Sequence, residues 1–409
     1  MKAGVGAVRG TDSRESGRAA ARLALQRMQG GDRATWAMAF SSRFHAGADV
    51  VAGIRDVLGR VPVVGGAAVG AITGDLVGYG GDEVAVAAFP APAGGPRVLV
   101  QGQLDQGEHG AGLSLGRRLA AEAPAGSVVV MFYDSIRSFG PPPVLNVGSL
   151  LLKGLHEGLA GHPIDVIGGG TVQDLDLSSS HVLDGDGPVK QSAVAVVLPP
   201  PVRCRTVIMH GCTPVSDFHR ITRVEGPVLY ELDGRPALDV AAEFLGQPIP
   251  TPAGPPTGPD ILSLSLTLGQ KLGDPFAPYD ESNYVNRLIL APLVEARALL
   301  LFEADFEPGA LVQFMSRDNA VMLESVRRGV ASLRADPALA DVGFVLYADC
   351  AGRTRAFNGA DDEEAEALAS GLPTGLPLLG FYSGVEIASL QGRSRPLDWT
   401  GVLGLIDLG

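Results

Sequence analysis

Two apolar strand patterns late in the chain each lead to a charged side chain. Residues 342–350 (VGFVLYADC) are followed by Arg353, and residues 376–387 (LPLLGFYSGVEI) end beside Glu386. A carboxylate at the end of a buried strand is costly unless it has a partner or a ligand. An arginine offers a planar fork to a ligand carboxylate, and a glutamate accepts hydrogen bonds from a ligand ammonium. Arg353 and Glu386 together could therefore bind an amino acid. The alternative is a salt bridge between them that only joins two strand ends.

Cys350 is a second chemical candidate, because the nearby Arg353 could lower the pKa of its thiol and make it nucleophilic. No histidine lies close in sequence to act as a base, so a buried, unreactive cysteine is the alternative. The chain has three cysteines, Cys204, Cys212 and Cys350. This sparse, odd number indicates free intracellular thiols without a disulfide framework or a structural zinc site.

The seven histidines include no pair at metal-binding spacing on a helix, so the sequence predicts no metal site. A single histidine is enough to ligate a haem iron. His156, within an apolar helical pattern, and His219 are the two candidates for that role. The cofactor is therefore unknown from the residues alone, with haem as an open alternative.

The composition excludes several classes of protein. The chain of 409 residues has a formal charge of −13 and no long basic block, which argues against binding to nucleic acid or to a membrane surface. With 46% hydrophobic and 19% charged residues it can bury a large core. No signal peptide is visible, and no apolar run approaches the roughly 20 residues of a membrane-spanning helix. We expect a cytoplasmic protein without membrane insertion.

Three segments share one pattern, in which an apolar run is followed by a glycine and, seven residues later, by an apolar residue. The glycines are Gly65, Gly168 and Gly380, and the apolar residues are Ile72, Leu175 and Ile387. Each segment lies between two strand-like runs. One helical pattern precedes the first strand-like run, and another lies between that run and the segment. This alignment places Ala71 and Asp174 at the positions equivalent to Glu386.

The repeats predict three α-β-α-β-β units and an α/β (α+β mixed) fold of layered mixed β-sheets flanked by helices. We expect two domains, residues 1–200 and residues 201–409. Residues 247–260 are rich in proline and glycine and are predicted to form a long internal loop of the second domain. A domain boundary at this stretch is the alternative.

The chain resembles the FIST family over most of its length, roughly residues 35–406. The family pattern C-x-G-R matches Cys350, Gly352 and Arg353, and the pattern G-F-Y-T-x-G-E-I matches Gly380, Phe381, Tyr382, Glu386 and Ile387. Residues 228–246 match a third signature around L-D-G-x-P-A. The N-terminal pattern P-V-V-G-C-S-T-A-G-E-I is only partly kept. Its cysteine, serine and glutamate are replaced by Gly66, Ala67 and Ala71.

The resemblance implies a FIST N-like and a FIST C-like α/β domain and a role as a sensory module of bacterial signal transduction. Such modules are thought to bind small molecules such as amino acids, and some relatives bind haem, sense nitric oxide and act on a histidine kinase. The ligand site that the matched motifs imply consists of Arg353, Glu386, Tyr382, Cys350, Gly352 and Gly380.

We therefore predict a cytoplasmic, non-catalytic sensory protein that binds an amino acid or a similar small polar molecule and acts through a signalling partner such as a histidine kinase. The ligand is expected near the strand ends that carry Arg353 and Glu386, or in a cleft between the domains. Two alternatives remain open at this stage. They are a haem-binding gas sensor and a thiol enzyme that uses Cys350.

Overall fold

The computed structural model describes residues 1–90, 96–140, 143–245 and 261–409. The predicted loop at residues 247–260 lies outside these ranges. The described chain consists of three similar units, each built on a mixed sheet with helices on one face, and a β-barrel that is inserted into the third unit. The predicted mixed α/β fold is confirmed.

The first unit spans the N-terminal part of the chain, and its strands are apolar and almost entirely buried. Continuous apolar runs of this kind are typical of strands covered on both faces. The elements are β1 (Gly4–Arg9), α1 (Ser13–Arg27), β2 (Trp36–Ser41), α2 (Gly47–Leu58), β3 (Val63–Ala67), β4 (Ala71–Thr73), β5 (Val77–Gly78) and β6 (Glu83–Phe89).

The second unit repeats this order with a short additional hairpin. Its two helices approach each other closely at glycines, and a Cβ on Gly112 would lie 2.0 Å from the carbonyl oxygen of Leu151. The elements are β7 (Arg97–Gln101), α3 (Glu108–Glu122), β8 (Ser127–Asp134), β9 (Ile136–Ser138), β10 (Val144–Leu145), α4 (Gly148–Leu159), β11 (Ile164–Thr171), β12 (Val182–Gly185), β13 (Pro188–Val189) and β14 (Ala193–Leu198).

The third unit begins with β15 (Arg203–Met209), and the barrel follows before the unit resumes. The barrel elements are β16 (Thr213–Pro214), β17 (His219–Glu225), β18 (Val228–Leu232), β19 (Arg235–Pro236), α5 (Ala237–Leu245), α6 (Ile261–Ser265), β20 (Leu266–Lys271), β21 (Tyr284–Leu293), β22 (Ala298–Leu301) and β23 (Leu311–Ser316). Strands β23, β17, β18, β22, β21 and β20 pair in this order, and β20 pairs with β23 to close the barrel. The closed barrel has its own apolar core.

The remainder of the third unit follows the barrel. Its elements are α7 (Asn319–Ala335), β24 (Phe344–Cys350), α8 (Arg355–Asn358), α9 (Glu364–Gly371), β25 (Leu378–Ser383), β26 (Val385–Leu390), β27 (Arg393–Leu397) and β28 (Gly401–Asp407). Helix α7 begins at an N-cap, Asp318, whose carboxylate accepts from the backbone N–H groups of Ala320 and Val321.

Each main sheet is completed by a hairpin from another unit. The strand orders are β1-β6-β2-β3-β12-β13, β7-β14-β8-β11-β26-β27 and β15-β28-β24-β25-β4-β5. Hairpin β4–β5 thus joins the third sheet, β12–β13 joins the first, and β26–β27 joins the second. This cyclic exchange interlocks the three units. The α-β-α-β-β unit predicted from the sequence did not include the first strand of each observed unit or the exchanged hairpin.

The exchange corrects one predicted alignment. Opposite the three equivalent glycines lie Ile72, Leu183 and Ile387. Leu175 was the wrong partner, and the position equivalent to Glu386 in the second unit is held by Val182 and not by Asp174. The reason is that residues 172–181 form an additional loop between β11 and β12, so the spacing along the chain is not preserved.

Three phenylalanine rings meet where the inner faces of the sheets converge. The ring centroid of Phe40 lies 5.3 Å from that of Phe132 and 4.1 Å from that of Phe381, and the last two are 5.6 Å apart. Phe40 and Phe132 stand on the first central strand of their units, opposite Gly66 and Gly169. In the third unit the ring comes from the second central strand. The three sheets therefore share one central core.

Candidate functional site

The predicted site residues lie at the junction of the second and third sheets. Arg353 belongs to a 3-10 turn, Ala351–Arg353, that follows β24. Tyr382 is near the end of the neighbouring strand β25, opposite Asp349. Glu386 is on β26 and therefore belongs to the second sheet, opposite Gly169. The fold brings the predicted residues to one region but on different sheets.

Arg353 is buried and its guanidinium is surrounded by protein acceptors. Nη1 donates to the carbonyl oxygens of His210 (3.2 Å) and Trp399 (2.9 Å). Nη2 donates to the carboxylate of Glu364. Nε lies 3.1 Å from Oδ1 of Asp349, an ion pair outside hydrogen-bond geometry. A ligand carboxylate could reach this guanidinium only by displacing one of these groups.

The charges around Arg353 stabilise one another. Burial lowers the pKa of Arg353, but Glu364 and Asp349 outweigh it and leave the pKa above its usual value. Burial raises the pKa of Asp349 to about 8, and it also raises the pKa of Glu364. Arg353 is thus a cation held by Glu364, by Asp349 and by two backbone carbonyl oxygens, and these contacts favour a structural role.

Glu386 forms no ion pair with Arg353 in the described structure. Its carboxyl group accepts hydrogen bonds from Oγ of Ser383 (2.7 Å) and from the backbone N–H of Thr400 (3.4 Å). Burial raises the pKa of Glu386 well above its usual value. The expected Arg353–Glu386 salt bridge is therefore not formed, because Asp349 and Glu364 lie nearer to the guanidinium.

Three other predicted residues have packing contacts. The hydroxyl of Tyr382 donates to Glu363 at 2.8 Å. A Cβ on Gly352 would lie 2.7 Å from the Trp399 ring, and a Cβ on Gly380 would lie 2.9 Å from a backbone oxygen of Tyr347. Both glycines therefore permit close approach of an aromatic residue. A role of these residues in ligand binding stays a prediction.

Cys350 lies beside the same junction, and its surroundings disfavour a thiolate. Although the residue is partly exposed, burial of the thiol, followed by the nearby Glu386 carboxyl, raises the pKa of Cys350 well above its usual value. Burial raises the pKa of Cys204 and of Cys212 to about 12. Reactive cysteines have the opposite environment, with a lowered pKa.

All three thiols are accordingly expected to react slowly with iodoacetamide at about pH 8, at least about tenfold more slowly than free cysteine, because only the thiolate is nucleophilic. Mass spectrometry of the folded protein over time checks this, with the urea-unfolded protein as the control that exposes every thiol. Rapid modification of Cys350 in the folded state would show a reactive thiol.

Arg317 is a further candidate, which no sequence motif indicated. It follows β23, its side chain is 7% exposed, and its guanidinium carbon lies 3.9 Å from the centre of the Trp399 ring. Nη1 donates to the carbonyl oxygen of Leu264 at 2.9 Å. Nε and Nη2 are buried without a hydrogen-bond partner among the described residues. Burial lowers the pKa of Arg317, but an arginine keeps its charge in proteins.

Three further polar atoms belong to residues close to Arg317. Trp399 stacks on its guanidinium, the charge of Glu364 opposes the lowering of its pKa, and Asn319 is two residues away in sequence. Nε1 of Trp399, Oε1 of Glu364 and Oδ1 of Asn319 are buried and, within the described chain, have no hydrogen-bond partner. We call Arg317, Asn319, Glu364 and Trp399 the Arg317 cluster. Trp399 has a backbone φ of 54°, which is strained for a bulky residue and is often found at ligand sites. The cluster offers donors to a carboxylate and acceptors to an ammonium.

A second buried carboxyl group lies at the start of helix α4. Oε2 of Glu303 accepts from the backbone N–H of Ser149 at 2.7 Å. Burial, followed by the charge of Asp398, raises the pKa of Glu303 to about 8. Glu303 is thus protonated at neutral pH in the folded chain, whereas the unfolded chain ionises it above about pH 4.5.

The folded state binds more protons than the unfolded state between these two values, so the free energy of unfolding falls as pH rises from about 4.5 to about 8. E303Q lacks this titration. Its stability relative to the unmodified chain is expected to rise over this window by up to about 1.4 kcal/mol per pH unit. Urea unfolding at about pH 5 and about pH 8.5 tests this, with the exposed-face variant E324Q as control. Parallel pH profiles for E303Q and the unmodified chain would contradict it.

Comparison with known families assigns the chain. A model described as FIST N domain matches residues 35–235, and a model described as FIST C domain matches residues 237–389. The chain belongs to the FIST family. FIST membership indicates a sensory, small-ligand-binding protein of signalling. Of the Arg317 cluster, only Trp399 lies beyond the FIST matches. The predicted domain boundary near residue 200 stays a prediction.

This FIST protein resembles several mycobacterial chains. It is 27% identical over 411 residues to an uncharacterized protein of Mycobacterium tuberculosis, with 99% of each chain covered. It is 26% identical over 265 residues to an uncharacterized protein of Mycobacterium bovis, which covers 65% of this chain and 66% of the relative. A crystal structure of chorismatase aligns with 93% of this chain and 94% of its own, at 10% identity and a TM-score of 0.34. At that score no fold or activity is transferred.

Haem, which the FIST resemblance implies for some relatives, does not fit the two predicted histidines. Nε2 of His156 donates to the carbonyl oxygen of Ser394 at 2.8 Å and is therefore not free for an iron. Nε2 of His219 has no partner among the described residues, but the rings of Phe244 and Phe314 pack against this imidazole at centroid distances of 5.9 Å. The two rings therefore cover the imidazole, and its Nε2 is buried.

Two wider features of this FIST protein concern metals and membranes. Within the described ranges, no three His, Cys, Asp or Glu side chains are grouped so that they could hold a metal ion. None of the described helices is both long and apolar enough to cross a membrane.

A cleft of about 500 Å³ separates the second unit of the FIST fold from the barrel. It is the counterpart of the cleft that was predicted as an alternative ligand position. Lys153, Arg395 and Asp305 are among its lining residues. Asp305 is already paired with the buried Arg287, so the cleft presents mainly basic groups.

Proposed function

We propose that this chain is a non-catalytic, cytoplasmic sensor that binds a small polar ligand at the Arg317 cluster, with an amino acid as the first candidate. The observation that carries the proposal is the buried guanidinium of Arg317, which has two nitrogens without a partner in the described chain. An unpaired buried charge is strongly destabilising. A ligand carboxylate would remove this cost.

The cluster matches the chemistry of an amino acid. Nε and Nη2 of Arg317 form one edge of the planar fork and can donate to both oxygens of a carboxylate. The indole of Trp399 lies under the guanidinium and keeps it in place by a cation–π contact. Oε1 of Glu364 and Oδ1 of Asn319 can accept from an ammonium group.

The position of the cluster suggests how binding acts on a partner. Arg317 follows the last barrel strand, whereas Glu364 and Trp399 belong to the third unit. A ligand held by both parts favours one arrangement of the barrel on the third unit, provided that its affinity differs between the two arrangements. A signalling protein such as a histidine kinase would recognise the favoured arrangement. The raised pKa values of the thiols support a role without catalysis.

A thermal-shift screen of the common amino acids and of simple carboxylates tests the proposal. A ligand that binds only the native state and is present at about 100 times its Kd adds about 2.7 kcal/mol to the free energy of unfolding. We expect at least one amino acid to raise Tm in a concentration-dependent way, and simple carboxylates to act more weakly. No stabiliser at millimolar concentration would count against an amino acid ligand.

A further inference from the structure

Three side chains in or beside the turn that precedes helix α2 each have a buried polar atom without a hydrogen-bond partner among the described residues. The atoms are Oγ of Ser42, Nε2 of His45 and Nε2 of His181. The three side chains are 1%, 3% and 8% exposed. The imidazole of His181 faces the helix start directly, since a Cβ on Gly47 would lie 2.6 Å from its Nε2. Ser42 and His45 lie in the turn from β2 to α2, and His181 packs against the first residue of α2.

The helix start itself lacks a cap. The N-cap residue, Ala46, provides no side-chain hydrogen bond. The first N–H groups of a helix have no partner within the helix and carry a partial positive charge, which attracts an anion. Asp49, the acidic residue of the first turn, is exposed. Oγ of Ser13 accepts from the backbone N–H of Ala46 at 3.1 Å, and the N–H of Asp49 donates to the carbonyl oxygen of Ala46 at 3.0 Å. The N–H groups left for an anion are therefore those of Gly47 and Ala48.

The equivalent helix of the second unit, α4, shows which kind of group can bind at such a helix start. Helix α4 has the same length of 12 residues and also begins at a glycine after an apolar N-cap residue. There the barrel supplies Glu303, which accepts from the backbone N–H of Ser149 at 2.7 Å. A Cβ on Gly148 would lie 3.0 Å from Oε1 of Glu303. The chain therefore places its own carboxyl group at one of two equivalent helix starts, where the charge of Asp398 helps to keep it protonated. The charge that acts on His181 at the α2 start is instead the cation Lys190, which favours an ionised carboxylate there.

We propose that the start of helix α2 is a second ligand site, which binds a small free carboxylate in the position that Glu303 holds at α4. Ser42, His45 and His181 donate to the carboxylate together with the first backbone N–H groups of the helix. Burial lowers the pKa of His181 to about 4, so its imidazole is neutral at pH 7 and acts as a hydrogen-bond donor. This site is separate from the Arg317 cluster.

Acetate titration tests the site, followed by NMR of protein labelled with 13C at histidine. The titration is done in the R317Q background, so that acetate cannot act through the Arg317 cluster and the outcome does not depend on the first proposal. We expect the signals of His181 and His45 to shift saturably at millimolar acetate. The signal of His109, which pairs with Glu157, serves as the internal control. Chloride at equal ionic strength is the salt control.

Matched variants separate binding from a structural role of the imidazole. H181F keeps a planar ring but removes the donor, and it is expected to weaken acetate binding at least about tenfold, as read from His45. H181Q keeps an N–H near the position of Nε2 and is expected to bind within about threefold of the parent. If H181F does not fold, S42A replaces it, with weaker binding expected. No saturable shift in the parent, or unchanged binding in H181F or in S42A, would overturn the proposal.

Discussion

R317Q is expected to abolish the thermal stabilisation by the amino acid ligand. Glutamine has no positive charge and cannot offer the paired N–H groups of a guanidinium. Hydrogen bonds to charged groups contribute about 1.5–3 kcal/mol each, so the loss of two corresponds to an affinity decrease of at least about a hundredfold. Thermal shift and calorimetric titration of R317Q measure the effect.

The same variant has a second expected result in the absence of ligand. Because R317Q removes a buried charge that forms no ion pair with a carboxylate among the described residues, the stability of the free protein is expected to stay the same or to rise. R334Q is the matched control, since Arg334 is exposed in the last turn of α7. A ligand shift of unchanged size in R317Q would place the site elsewhere, with the cleft beside Arg395 as the next candidate.

R353A is expected to lower the free energy of unfolding by about 3–5 kcal/mol, because it leaves the buried carboxyl groups of Asp349 and Glu364 without their cation. Two hydrogen bonds to backbone carbonyls are lost as well. Urea unfolding measures the change. R327A, on the exposed face of α7, is the control and is expected to change stability by less than about 0.5 kcal/mol.

If R353A lowers the free energy of unfolding by less than about 1 kcal/mol, the structural role of Arg353 is contradicted. Arg353 would then again be a candidate for ligand binding. A large loss of stability together with a preserved ligand shift at lower temperature is the result that the contacts of Arg353 predict. The two arginines are thus separable by experiment, because R317Q is expected to affect ligand binding and R353A is expected to affect the fold.

Local sequence patterns predicted the elements of the fold well. The helices predicted at residues 47–58 and 148–159 have those bounds in the structure. The three glycines on the central strands are equivalent, as the repeat indicated. The hairpin exchange was not predictable from one sequence, because β4 pairs with β25 near the other end of the chain. Pairing between strands that are far apart in sequence produces no periodic pattern in the residues of either strand.

The candidate site was predicted less completely. The motif around Arg353 lies in the region that also contains Arg317, and its role in ligand binding stays a prediction, but the expected Arg353–Glu386 ion pair is not formed. Asp349, four residues away, and Glu364 hold the guanidinium of Arg353, and Glu386 lies on another sheet. Arg317 carries no recognisable motif. It is proposed as a ligand residue because it is buried and because two of its nitrogens have no hydrogen-bond partner among the described residues, which are properties of the folded chain.

Calorimetric titration with matched analogues tests whether the Arg317 cluster recognises both charged groups of one small ligand. The amino acid found in the screen is compared with its N-acetyl derivative, which lacks the ammonium, and with its carboxamide, which lacks the carboxylate. We predict that each analogue binds at least about tenfold more weakly than the parent, because each leaves one charged or polar group of the Arg317 cluster unpaired. Equal binding of the parent and the carboxamide would contradict the account.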